Sequence, residues 1–167
     1  MWIFFLVLLC ALAFPDYPPI MDARERVATP EVALFFGRFH PIAVHLPVGV
    51  LFLAALMDVL GMLRGPVAQG IKPAITFVIG IGAFGAVIAV IFGILLSREG
   101  GYGGEMFKAH MPLGIATAVL SILSYFFKLL SDNTGRFAFV HRAVMVLTLA
   151  VMSVGAHLGG NLVHSSG

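Results

Sequence analysis

Four long apolar runs, at residues 41–63, 73–97, 112–130 and 138–160, alternate with short segments that hold most of the charges. Each run is about as long as a helix must be to cross a bilayer core of roughly 30 Å. None has the strict alternation of a membrane barrel strand, and a helix satisfies its own backbone hydrogen bonds where no water is present. The pattern predicts an all-α protein, an integral membrane four-helix bundle over residues 37–167.

A shorter run precedes the bundle. "MWIFFLVLLCALAF" is apolar over residues 1–14 and stops at the breaker cluster "PDYPP". Ala11, Leu12 and Ala13 fit a small-residue cleavage site, but a basic n-region is missing. The segment reads equally as a signal peptide or as a short N-terminal hydrophobic anchor helix. Residues 15–36 form a linker containing prolines and charges, on the outer face, with a short surface helix expected at residues 30–36.

Composition sharpens the class. Of the 167 residues, 60% are hydrophobic and only 11% charged, with a mean hydropathy of +1.03; soluble domains of this length are not built this way. Cys10 is the only cysteine, which excludes an internal disulfide, a Cys-only metal site and covalent haem attachment through C-x-x-C-H. There is no Ser-His-Asp order, carboxylate pair, phosphate loop or nucleic-acid patch. The protein is therefore not expected to be an enzyme or to bind nucleic acid, and membrane lipid is its first partner.

Charge bears on orientation. The segments after the first and third spans hold Arg64, Lys72, Lys128, Arg136 and Arg142 with Asp58 and Asp132, a net +3. The opposite side holds Arg24, Arg26, Arg38, Arg98 and Lys108 with Asp16, Asp22, Glu25, Glu31, Glu99 and Glu105, a net −1. Basic residues tie at five each, so the positive-inside count alone is undecided. A leading signal-like segment delivers residues 15–39 across the membrane. The linker, the 98–110 loop and the C-terminus are therefore assigned to the periplasmic side of a bacterial inner membrane.

Histidine is the unusual chemistry in so apolar a chain. "GRFHPIAVHLPVG", residues 37–49, carries two histidines and two prolines. Pro41 takes the first helical position, where its missing N–H costs nothing and His40 sits near the cap. Pro47 lies inside the helix and is expected to kink it below His45. Of the six histidines, this topology puts His40, His45, His110, His157 and His164 at the outer ends of the spans, with His141 alone at the inner end. Ionisable groups at membrane depth are expensive and usually face the bundle interior.

Helical spacing adds detail. His110, Gly114, Thr117, Ser121, Ser124 and Lys128 form one stripe of small and polar residues facing neighbouring helices. Gly85, Ala89 and Gly93 lie four apart in the second span, so another helix or a flat cofactor can approach that backbone. Gly159 and Gly160 are expected to break or cap the last helix. His45 and His157 lie at a similar depth, roughly 6 Å in at 1.5 Å per residue.

Two neutral imidazoles on facing helices are the usual way to hold a non-covalent haem in a bundle. The expected cofactor is haem b, ligated by two of His40, His45, His110 and His157. Gly85 and Gly159 would make room for the porphyrin, and Arg38, Arg98 and Lys108 would be available to its propionates. His45 meets the depth requirement best. Its partner is His110 if the helices pack in chain order, or His157 if equal depth decides. Two competing readings stand beside this one: histidines that cap helix ends, and Cu(I) bound by Met106, Met111 and His110; at the inner end a structural ion pair of Asp58 with His141 or Arg142 is expected.

The stretches "FGRFHPIAVHLPVGVLFLAALMDVLG" (36–61) and "GAHLGGNLVHSSG" (155–167) resemble a bacterial family of four-helix membrane domains of unknown function. Its patterns read roughly G-R-x-H-P-x-x-V-H-x-P, then a histidine opening the third helix, then G-H-x-G-G-x-x-x-H-G. The resemblance marks His40, Pro41, His45, Pro47, His110, His157, Gly159, Gly160 and His164, with "HSSG" here in place of the usual "HG". Relatives joined to cytochrome c or Rieske-type domains imply electron traffic at the outer face. The resulting expectation is a membrane-embedded b-type haem subunit for electron transfer, with such a redox partner or a larger membrane complex. The alternatives are a haem-free anchor or assembly subunit of a redox or photosynthetic complex, and a metal-ion or proton conduit.

Overall fold

The computed structural model describes residues 30–63, 65–100 and 104–164, with side chains as far as Leu162. The signal-like segment 1–14 and residues 15–29 of the expected linker lie outside the described residues. From Glu31 onward the chain is one compact unit of helices: α1 (Glu31–Gly37), α2 (His40–Ala43), α3 (His45–Gly61), α4 (Pro66–Ser97), α5 (Gly104–Thr134) and α6 (Ala138–His164). Four stretches are long and apolar enough to cross a membrane: Glu31–Gly61, which comprises α1 to α3, then Pro66–Ser97, Gly104–Thr134 and Ala138–Leu162. The chain is an all-α membrane bundle.

The first span is broken where its prolines fall. Pro41 lies in the first turn of α2. Pro47 has no N–H for the Ala43 carbonyl and its ring crowds that oxygen. The irregularity falls at Val44, one residue before His45 rather than below it, and the backbone stays helical there, with Val44 N–H 3.1 Å from the His40 carbonyl and Val48 N–H 3.3 Å from that of Val44. Inside the other spans proline and glycine do not break the helix. Pro73 and Pro112 sit inside α4 and α5, and α6 runs through Gly159 and Gly160 to His164. The expected break at Gly159 and Gly160 is thus absent. In apolar surroundings, opening a helix strands several backbone groups, whereas one proline strands a single carbonyl and glycine strands none.

The spans pack in chain order, α3 on α4, α4 on α5 and α5 on α6, with a narrower seam between α6 and α3. This makes the first and third spans diagonal. The core holds Leu51, Ala54, Ile75, Ile79 and Met145, with Ile75, Ile79, Ala54 and Met145 in mutual contact. Glycines let helices close in: a Cβ on Gly82 would stand 2.6 Å from Leu51 Cδ2, and one on Gly37 would stand 2.6 Å from the Leu96 backbone nitrogen. The latter seats α1 against the end of α4, where Phe36 stacks on Phe92 at 6.1 Å. Phe77 and Phe139 point outward, as lipid-facing residues do. The α5 stripe points inward, with Thr117, Ser121, Ser124 and Lys128 all buried. Thr117, Ser121 and Thr148 donate their hydroxyls to Leu113, Thr117 and Val144 of their own helices, so these polar groups need no partner across the bundle.

Candidate functional site

Two histidines converge at one end of the bundle. His40, at the head of α2, donates Nδ1–H to the Ala89 carbonyl of α4 at 2.8 Å. His110, in the second turn of α5, donates Nδ1–H to the Gly155 carbonyl of α6 at 2.9 Å. Their rings meet edge to face, with centroids 6.2 Å apart and planes at 76°. Each imidazole rests on a glycine: a Cβ on Gly93 would come within 3.0 Å of the His40 ring, and one on Gly159 within 2.8 Å of the His110 ring. The backbone bonds fix one tautomer on both rings and leave each Nε2 lone pair available, the arrangement by which ligating histidines are held.

The other sequence candidates lie elsewhere. His45 is exposed and turns back on its own helix, Nδ1 to the Pro41 carbonyl at 2.7 Å. His157 is exposed and accepts from Asn161 Nδ2 at 3.3 Å. Equal depth therefore does not bring these two together, and neither packs on His110. The hollow over Gly85 holds the Leu46 side chain, 3.2 Å from where a Cβ would be, and the edge of Pro47. Of the two expected occupants of the α4 glycine stripe, a neighbouring helix is the one found there. Arg38 pairs with Glu99, its Nε 2.9 Å from the carboxylate, and this hydrogen bond holds the Glu99 carboxyl below its ordinary range. Lys108 pairs with Glu105 at 2.8 Å, while no ion pair involves Arg98 among the described residues. Met106 is exposed and Met111 half-buried. Among the described residues no group of three or more His, Cys, Asp or Glu side chains converges as a metal cage. The His164 side chain lies outside the described residues.

The opposite end carries a second polar centre. Arg142 donates Nε to Asp58 at 2.9 Å, tying α6 to α3 across the narrow seam. Lys128 and Thr76 both donate to Asp132. His141 is 1% exposed, with Nδ1 donated to the Ser124 carbonyl at 3.0 Å, and its Nε2 stands 3.9 Å from Asp58. Asp58, Arg142, Lys128, Asp132 and His141, together with Lys72, line a cavity of about 250 Å³. Sequence reasoning expected Asp58 to pair with His141 or Arg142, of which Arg142 makes the hydrogen bond, but missed the cavity. The signal for it was available in the charges at the ends of α3, α5 and α6, which can avoid lipid only by facing one another.

Residues 38–167 match the model of a family described as "Predicted membrane protein (DUF2231)". No curated protein and no solved structure matches the chain. The chain belongs to this family and is a multi-pass membrane protein.

Proposed function

We propose that this member of the family is a membrane-embedded b-type haem protein. It would pass single electrons near the periplasmic face of a bacterial inner membrane, and His40 and His110 are the residues that would hold the haem. The observation that carries the reading is the pair itself: two imidazoles from diagonal spans at 6.2 Å, each with Nδ1 engaged by a main-chain carbonyl. Bound haem supplies reversible one-electron chemistry that none of these side chains provides. The chain's own part is to hold both rings at one level, fix their tautomers and line the surroundings with apolar helix faces. Arg98 is the rim cation available to a propionate, since Arg38 reaches one only by leaving Glu99. The partner would be a cytochrome c or Rieske-type protein, or a larger membrane complex, meeting this end of the bundle.

A haem-free anchor is the second reading, and one observation favours it. The imidazoles fill the hollows over Gly93 and Gly159, so they also act as clasps between helices. Haem analysis of the purified full chain separates the two. About one haem per chain, lost from both His40→Ala and His110→Ala, supports ligation; a chain without haem, merely less stable in those variants, supports the clasp.

A further inference from the structure

We propose that the cavity at the Asp58 end is a headgroup site for an anionic glycerophospholipid. Lys72 and Arg142 hold the phosphate, and His141 Nε2 and Asp58 Oδ1 accept hydrogens from headgroup hydroxyls. This site is independent of the His40–His110 pair at the other end.

The charges argue for the phosphate. Asp58 is answered by Arg142 and Asp132 by Lys128, which leaves the Lys72 ammonium with no hydrogen bond or ion pair among the described residues. The cavity therefore carries one surplus positive charge. Arg142 uses only Nε on Asp58, so its two terminal nitrogens remain as donors, and their fork suits a phosphate. Cations at the ends of membrane spans meet headgroups there by ordinary electrostatics.

The buried histidine argues for the hydroxyls. His141 Nε2 is buried without a hydrogen-bond partner, and its Nδ1 proton is already given to Ser124. Nε2 is thus an acceptor, and the Asp58 carboxylate 3.9 Å away is another, beyond hydrogen-bond reach. Two acceptors facing one gap call for a ligand that brings hydrogens, which a bare phosphodiester lacks and a glycerol headgroup has. A single water occupies about 30 Å³, and the cavity is several times larger. The chemistry recognised is that of a glycerol phosphate ester. The lipid is favoured as its source because the cavity opens at the ends of the spans, beside the outward-facing Phe139 at the start of α6.

Native mass spectrometry of the full chain in detergent tests this with four probes. They are phosphatidylglycerol, phosphatidylmethanol (anionic, without headgroup hydroxyls), phosphatidylcholine and soluble glycerol 3-phosphate. The wild type is expected to retain phosphatidylglycerol over the other three. Lys72→Gln, a change at an exposed position, should weaken that retention about fivefold. His141→Asn should keep anionic-lipid binding while losing the preference for phosphatidylglycerol over phosphatidylmethanol. Equal retention of all three lipids would leave the cavity to water and overturn the proposal, as would an unchanged Lys72→Gln. Glycerol 3-phosphate binding as well as the lipid would overturn the lipid as source.

Discussion

His40 and His110 touch across the diagonal of the bundle, ring edge to ring face at 6.2 Å, although the helices that carry them are not adjacent in the packing order. Each ring is tied to a third and a fourth helix, through Ala89 and Gly155. The contact thus gathers all four spans at one level. It exists because Gly93 on α4 and Gly159 on α6 leave room for an imidazole.

Gly159 tests that last point. An added methyl would stand 2.8 Å from His110 Cε1, and overpacking of this kind typically costs about 1–3 kcal/mol. Gly159→Ala is expected to unfold earlier in a denaturant titration and to shift the His110 ring nitrogens in NMR, as Nδ1 leaves Gly155. Gly160→Ala, whose Cβ meets nothing within 4 Å, should be neutral or gain up to about 1 kcal/mol from the loss of glycine's backbone freedom. Equal behaviour of the two variants would contradict the packing described.

Much of this was legible in the sequence. The four apolar runs announced the spans because a membrane demands length and hydrophobicity before any packing detail. The α5 stripe was legible because small and polar residues at helical spacing have only the bundle interior to face. Three features were not. The break at Gly159 and Gly160 was expected from rules learned in water, where an opened helix end is solvated; here Gly159 serves the approach of His110. The irregularity of the first span falls at Val44, before His45 and not below it, and it is His40 rather than His45 that meets another histidine. Depth along a helix sets the level of a side chain but not its azimuth, so His45 and His157 matched in level while facing apart from His110.

The Asp58–Arg142 pair makes an asymmetric prediction. The Asp58 side chain is only 12% exposed, whereas that of Arg142 is 43% exposed. Arg142→Leu strands a nearly buried carboxylate and is expected to cost about 3 kcal/mol. Asp58→Asn leaves an arginine that can reach water and should cost nearer 1 kcal/mol. Denaturant unfolding of both variants measures the difference; the reverse order would show that the carboxylate is not the buried partner.

The Arg38–Glu99 pair should make the docking of α1 and α2 on α4 depend on pH. Because Glu99 is held below its ordinary range by Arg38, its contribution is present above the unfolded value near pH 4.3 and is lost as pH falls through the lower folded value. The pair is exposed, so the effect is local. Amide hydrogen exchange in α1 is expected to lose protection below about pH 4 in the wild type. Arg38→Gln should already show the weaker protection at neutral pH, and a pH profile shared by both proteins would remove the pair from the account.

The central claim is that the two converging imidazoles, and not the exposed ones, hold iron. Reduced-minus-oxidised absorption of the purified wild type, His40→Ala, His110→Ala and His45→Ala proteins tests it most directly. A sharp low-spin α-band in the wild type and His45→Ala, absent from the other two, is the expected result. A featureless wild-type spectrum, or a band that survives loss of His40 and of His110 but not of His45, would contradict it.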